Sequence, residues 1–283
     1  MKTRKMILSI ILSLLALVVA QILSQLVASI AVLVKIPPFI ANILAGMLYV
    51  VFAYFLIRLL CKKYIKGDMS DYNIPSFRIE MKWCAVAVLL PLIIIAFYIF
   101  FVPGSFEKND LDIHSILELL SAGIFFTGFG AGVVEEMVFR GIMMSAIEKR
   151  YNKKVAIIVP SVLFGFVHII GMGFNVLSCA LVVLAGTMVG IMFSLIASET
   201  KSIWNSAIVH ALWNIITSGG ILRIGIEFDA YSLFSYVLDS KSFLLTGGEF
   251  GMESSIIAVM GYGLVCLLVI LPRAHLKTVN TPQ

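Results

Sequence analysis

The sequence predicts an all-α, polytopic membrane protein with about eight transmembrane helices and both termini in the cytoplasm. Of the 283 residues, 60% are hydrophobic and 13% are charged, and the mean hydropathy is +1.04. Several apolar runs reach the roughly 20 residues that a helix needs to cross the hydrocarbon core of a bilayer. Because soluble domains do not have this balance, we expect a single integral membrane domain over residues 1–283.

Eight apolar segments are expected to form the crossing helices. The first follows Lys2, Arg4 and Lys5, and its apolar part is too long for a signal peptide and has no convincing cleavage site, so we predict an uncleaved helix. Pro37 and Pro38 end the turn after it. Segment 218–253 is glycine-rich and net acidic, and short interfacial helices are expected there. The expected helices cover about 6–34, 39–60, 83–102, 121–147 (preceded by an interfacial part from 113), 155–170, 176–197, 203–217 and 254–271.

The basic residues set the predicted orientation. With eight crossings, 16 Lys and Arg side chains fall on the side of the termini and 4 on the opposite side, and Arg140 lies inside the membrane. Positive residues favour the cytoplasmic side, so both termini are placed there. This clustering at helix ends also means that the net charge of +5 does not indicate nucleic-acid binding. The four cysteines show no CxxC spacing, so neither a disulfide framework nor a zinc-thiolate site is predicted.

Two adjacent carboxylates and an arginine interrupt the fourth crossing helix, at Glu135, Glu136 and Arg140. An ionised side chain at the centre of a membrane helix costs about 2.5–3.5 kcal/mol on insertion scales, so a functional role is expected. Glu136 and Arg140 are four residues apart and can form an ion pair that supports the structure. Glu135 points about a quarter turn away, which leaves it as the candidate reagent.

Small residues occupy the side of the helix that carries Glu135. Gly128, Ala131 and Gly132 leave room beside the carboxylate for a close helix, a water molecule or a substrate backbone. The alternative is a purely structural triad that closes a helix bundle, with Gly128 and Gly132 as a GxxxG packing face.

Two other predicted helices carry polar residues at a similar depth. His168 follows Phe164 in the fifth helix, and His210 and Asn214 share one face of the seventh. Glu135, His168 and His210 lie roughly 18, 20 and 11 Å from the cytoplasmic ends of their helices.

These residue types suffice for hydrolysis of a peptide bond. A carboxylate and an imidazole that share a water form a general base, and a second imidazole with an amide can stabilise an oxyanion. A divalent metal such as zinc, held by Glu135, His168 and His210, is the alternative. The H-E-x-x-H signature of zincins is absent, and no serine or cysteine lies in a G-x-S-x-G context.

The three motifs together resemble the CAAX-processing and bacteriocin-processing family of intramembrane proteases, which includes type II CAAX prenyl endopeptidases. The motifs are E-E-x-x-x-R from Glu135 to Arg140, F-x-x-x-H from Phe164 to His168, and H-x-x-x-N from His210 to Asn214. They lie in an expected protease core of about 115–217, with the helices over 6–34, 39–60, 83–102 and 254–271 peripheral to it.

The resemblance implies an endopeptidase that opens to the cytoplasm and acts near the terminus of a membrane-associated peptide or protein. It implies that Glu135 and His168 activate water and that His210 and Asn214 stabilise the oxyanion, with Glu136, Arg140 and Phe164 as structural support. The name metalloprotease is common in the family, but these residues do not decide whether a metal takes part. Bacterial members are associated with peptide maturation or bacteriocin immunity, so the bacterial plasma membrane is the expected location.

The sequence is also compatible with two non-proteolytic hypotheses. One is a non-catalytic membrane scaffold or immunity protein with the same fold. The other is a transporter or proton relay that uses the same charges, although there is no inverted repeat and no proline-broken helix near them.

Overall fold

The computed structural model describes residues 1–173 and 175–279, and it confirms the all-α, polytopic membrane class. The observed bounds lie within four residues of the expected ones except at the C-terminal end of the last helix. The helices are α1 (Thr3–Leu33), α2 (Pro38–Leu59), α3 (Met81–Phe101), a composite helix over 113–148, α7 (Lys153–Val167), α8 (Val176–Thr200), α9 (Ile203–Ser218) and α11 (Ile256–Val279).

Within this described part, five helices are long and apolar enough to cross a membrane, over 3–33, 38–65, 81–101, 113–148 and 176–200. The helices α7 and α9 are shorter, with 15 and 16 residues, and the apolar part of α11 runs from 256 to 271. The count of eight crossings and the cytoplasmic termini therefore stay predictions.

Small residues hold the first two helices together. The buried positions of α1 are mostly serine and alanine, for example Ser13, Ala16 and Ala20, whereas many of its larger side chains, such as Ile22 and Leu26, are exposed. Apolar side chains gain nothing by leaving lipid, so close backbone approach through small residues is the usual means of helix association in a membrane.

The composite helix over 113–148 alternates between α and π geometry. It consists of α4 (Ile113–Ser121), a π segment (Ala122–Gly130), α5 (Ala131–Glu136), a second π segment (Met137–Met143) and α6 (Met144–Glu148). Its N-terminus is capped by Asp112, whose side chain accepts a hydrogen bond from the Ser115 backbone amide at 2.8 Å. The short α5 carries both adjacent glutamates.

Contacts near the helix termini define two ends of the bundle. At one end, which we call the basic end because Lys5 and Lys82 lie there, Lys5 Nζ donates to the Ile65 carbonyl at 2.8 Å and Lys82 Nζ donates to Glu199 at 3.0 Å. The Met1 ammonium reaches the Lys149 carbonyl, so the N-terminus lies at this end.

A small sheet marks the opposite end, which we call the sheet end. It has the order β1-β3-β2, with β1 (Gly104–Lys108) antiparallel and β2 (Leu222–Gly225) parallel to β3 (Phe234–Leu238). The expectation of short interfacial helices over 218–253 was therefore incomplete: the segment contains β2 and β3, and α10 (Phe243–Thr246) is its one α-helix. The strands form here because 103–112 and 219–255 meet at the same end of the bundle and pair their backbones. Tyr236 anchors the sheet by donating to the Val102 carbonyl at 2.8 Å.

Candidate active site

Glu136 and Arg140 form the ion pair that their spacing predicted. Arg140 Nη1 donates to Glu136 Oε1 at 2.8 Å, and both side chains are completely buried. The second terminal nitrogen of Arg140 donates to the Gly190 carbonyl of α8 at 3.1 Å, and its guanidinium carbon lies 4.4 Å from the centre of the Phe164 ring. The pair therefore ties the composite helix to α7 and α8.

The glycine face of the composite helix is occupied by a close helix, α9. A Cβ atom added to Gly132 would lie 2.8 Å from the Cα of Ala211, and one added to Gly128 would lie 2.2 Å from the Ile215 side chain. Of the three occupants left open by the sequence, a close helix is thus the one found.

This approach places His210 of α9 between the two glutamates. Its Nδ1 lies 3.2 Å from Glu136 Oε1, and its Nε2 lies 3.9 Å from Glu135 Oε2. A carboxylate oxygen accepts, so Nδ1 donates to Glu136 and the other ring nitrogen faces Glu135. The ring stacks on Phe193 with centroids 4.6 Å apart. Glu135 is the more accessible acid, since 24% of its side chain is exposed against none for Glu136.

His168 lies at the C-terminal end of α7. Its Nδ1 is 2.7 Å from the Phe164 carbonyl, and the two rings are 4.5 Å apart. Because a carbonyl can only accept, Nδ1 carries the proton, and the neutral ring keeps a lone pair on Nε2. His168 is thus held in the tautomer that can accept a proton from water.

Three of the four predicted catalytic residues line one cavity. His168, His210 and Asn214 border a small cavity of about 50 Å³, and Glu135, which is not in its lining, lies 3.9 Å from His210. Asn214 donates one amide hydrogen to the Thr127 carbonyl at 3.0 Å, which leaves its second hydrogen for another acceptor.

The cavity is closed by residues that the sequence analysis did not single out. Glu253 accepts hydrogen bonds from Trp213 Nε1 at 3.4 Å and from the Ser218 hydroxyl, and its carboxylate lies 3.8 Å from Arg223. Phe250, Glu253 and Ser254 come from the segment before α11, so the cavity lies nearer the sheet end than the basic end. An acidic residue next to the start of the last helix was the signal that could have identified Glu253.

The predicted metal ligands do not fit a metal ion as the structure places them. Among the described residues, no group of three or more His, Cys, Asp or Glu side chains is arranged to hold one. The Nδ1 contacts of His168 and His210 with Phe164 and Glu136 leave each Nε2 free, so the misfit lies in the spacing of the three side chains and not in the imidazoles themselves. No step is therefore derived through a metal.

Comparison with known proteins supports the resemblance. Residues 117–216 match the family described as "Type II CAAX prenyl endopeptidase Rce1-like". The chain is 26% identical over 120 residues to a Bacillus subtilis (strain 168) protein named "Putative membrane peptidase YdiL", a match that covers 42% of this chain and 45% of that protein. No solved structure matches. The chain therefore resembles the CAAX-processing and bacteriocin-processing family, and the matched segment contains all three motifs. It also falls inside the core expected over 115–217.

Proposed function

We propose that this protein is an intramembrane endopeptidase that hydrolyses a peptide bond near the terminus of a membrane-associated peptide or protein. The observation that carries the proposal is the convergence of three helices on one site. Glu135 approaches His210 within 3.9 Å, and His210, His168 and Asn214 border the same cavity. The match to the endopeptidase family over 117–216 supports the same reaction class.

The charge balance of Glu135, Glu136 and Arg140 favours one further proton in this cluster. Glu135 and Glu136 supply two carboxylates and Arg140 supplies one positive charge, so one further proton makes the group neutral. A net charge away from water is costly, which favours keeping that proton within the cluster. His210 lies between the two carboxylates, with one ring nitrogen facing each of them.

In the proposed reaction, a water beside Glu135 and His168 loses a proton to one of them and its oxygen attacks the peptide carbonyl carbon. The C–O bond forms as the carbonyl π-bond opens to an oxyanion. His210, through Nε2–H, and Asn214, through its second amide hydrogen, donate to that oxyanion. The carbonyl then re-forms, the C–N bond breaks, and the proton held by the base passes to the departing amine.

The test is a comparison of membrane peptides from cells that produce the wild-type chain or Glu135→Gln. Glu107→Gln is a matched control because Glu107 is an exposed acid on β1, away from the cavity. Peptides that appear with the wild type and with Glu107→Gln, but not with Glu135→Gln, support the proposal. Identical peptide sets from all three would overturn it and would favour the non-catalytic scaffold.

A further inference from the structure

An apolar groove runs along the outer surface of the first two helices, away from the candidate active site. One wall is α1, and the other is the C-terminal part of α2 with the π turn that follows it, Leu60–Ile65. The groove has a concave volume of about 330 Å³, and we call it the α1–α2 groove.

The shape of the groove suits a single hydrocarbon chain. Ala16 forms its floor and is 8% exposed, whereas Leu15 and Leu59 on its two rims are 52% and 53% exposed. A small residue between larger ones therefore leaves a channel. The lining of α1 extends from Leu12 to Val19, which is about 10 Å at 1.5 Å per residue. The channel follows the helix axes, the direction in which lipid chains lie in a bilayer.

One mouth of the groove carries a positive charge. Lys63 and Tyr64 are the polar residues of its lining, and Lys63 is exposed. Both lie at the basic end, because the carbonyl of the next residue, Ile65, accepts from Lys5 Nζ at 2.8 Å. From that end inward, the groove thus presents an ammonium group and then an apolar channel, which is the order of headgroup and acyl chain in a phospholipid.

The charges around this mouth have one sign. Residues 1–67 contain eight Lys and Arg and no Asp or Glu, and seven of the eight lie within 2–5 and 58–66. In the part of the chain that the structure describes, none of these seven forms a salt bridge with a carboxylate. The first acids, Asp68 and Asp71, cap the short helix over 69–72. About four to eight basic residues next to a membrane helix are typical of a site for anionic lipid.

Other lysines at the basic end differ in this respect. Lys82 lies 3.0 Å from Glu199, and Lys201 lies 3.9 Å from Glu148. A carboxylate partner offsets the charge of each, so the surface that they form is mixed in sign. The unpaired positive charge is concentrated beside the α1–α2 groove.

We propose that the α1–α2 groove binds one anionic phospholipid, with an acyl chain between the two helices and the phosphate at Lys63. A lipid chain gains little by exchanging other lipid chains for leucine side chains, since the two are equally apolar. The preference for this site therefore comes from the headgroup, to which the Lys63 ammonium offers a charge and hydrogen-bond donors. The inference is independent of the proposed peptidase reaction.

Native mass spectrometry of the full-length chain in detergent measures the headgroup preference. The probes are palmitoyl-oleoyl phosphatidylglycerol and palmitoyl-oleoyl phosphatidylcholine, which differ only in the headgroup. We expect one phosphatidylglycerol to bind about tenfold more tightly, and Lys63→Gln to weaken it about fivefold. Lys154→Gln removes an exposed lysine at the same end, outside the groove, and should leave the affinity unchanged. Equal affinity of the wild type for both lipids, or equal loss in the two variants, would overturn the proposal.

The acyl-chain part is tested by filling the channel. Val19 lines the groove and is 41% exposed, whereas Val18 is 47% exposed and lies about 100° away around the helix. Val19→Trp should weaken phosphatidylglycerol binding about fivefold and Val18→Trp should not, with both variants melting near the wild-type temperature in lipid-free detergent. Glycerol phosphate alone should not compete.

Three results would assign the groove differently and overturn the proposal. Competition by glycerol phosphate at the concentration of the lipid would indicate a site for a free anion. A dimer that Val19→Trp dissociates and that excludes the lipid would make the groove an interface between two copies of the chain. Unchanged lipid binding in Val19→Trp would place the lipid elsewhere.

Discussion

Removing Arg140 should destabilise the protein more than any single change at an exposed charge. Arg140→Met leaves the buried Glu136 carboxylate with His210, at 3.2 Å, as its remaining hydrogen-bond partner among the described residues. It also frees the Gly190 carbonyl, which accepts from Arg140 at 3.1 Å. Loss of one partner of a buried ion pair costs about 3–5 kcal/mol. At about 2–4 °C per kcal/mol for a chain of this size, the melting temperature should fall by roughly 6–20 °C.

Thermal unfolding of the purified protein in detergent, followed by tryptophan fluorescence, measures this effect. Arg150→Met is the matched control, because Arg150 is exposed and bonds to the Thr3 hydroxyl at the basic end. The double variant Glu136→Met with Arg140→Met removes both charges and should be more stable than Arg140→Met alone, since no unpaired carboxylate remains. A melting temperature unchanged in Arg140→Met, together with lost cleavage, would refute the reasoning and assign Arg140 to the chemistry.

Glu135→Gln should lower turnover in proteoliposomes by about 10²–10⁴-fold, the usual contribution of a general base, with a melting temperature within about 2 °C of wild type. Gly132→Val should reduce the yield of folded protein in size-exclusion chromatography, because its Cβ would lie 2.8 Å from the backbone of α9. Gly263→Val, at a helical glycine with nothing within 4 Å, should give a normal yield. Tyr236→Phe should speed proteolysis of 219–255, since it removes the hydrogen bond that anchors the sheet to the end of α3 and costs about 1 kcal/mol.

The helices could be predicted from the sequence because strong local signals bound them. Pro38 opens α2 where a proline is tolerated in a first turn, and charged residues flank the ends of several apolar runs. The Glu136–Arg140 pair was predictable for the same local reason, since residues four apart meet on one face of a helix. Both arguments need only neighbouring residues.

The sheet and the π segments were not predictable in this way. The pairing of β1 with β3 joins residues more than 120 positions apart, and β1 has a mostly polar sequence that does not predict a strand. The π segments on both sides of α5 contain no proline that would mark them. Glu253 also escaped notice, because its partners Trp213, Ser218 and Arg223 are brought to it by the folding of 219–255.

Two interpretations of the helix that carries the E-E-x-x-x-R motif, close helix packing and catalysis, depend on each other. Gly128 and Gly132 allow α9 to approach until Ala211 and Ile215 occupy the space where side chains would stand. His210 precedes Ala211, so the same approach brings its ring to both Glu135 and Glu136. A side chain at position 132 would hold α9 away and separate the imidazole from Glu135. The close-packing face is therefore a condition for the proposed site, and finding it gives no reason to prefer a purely structural triad.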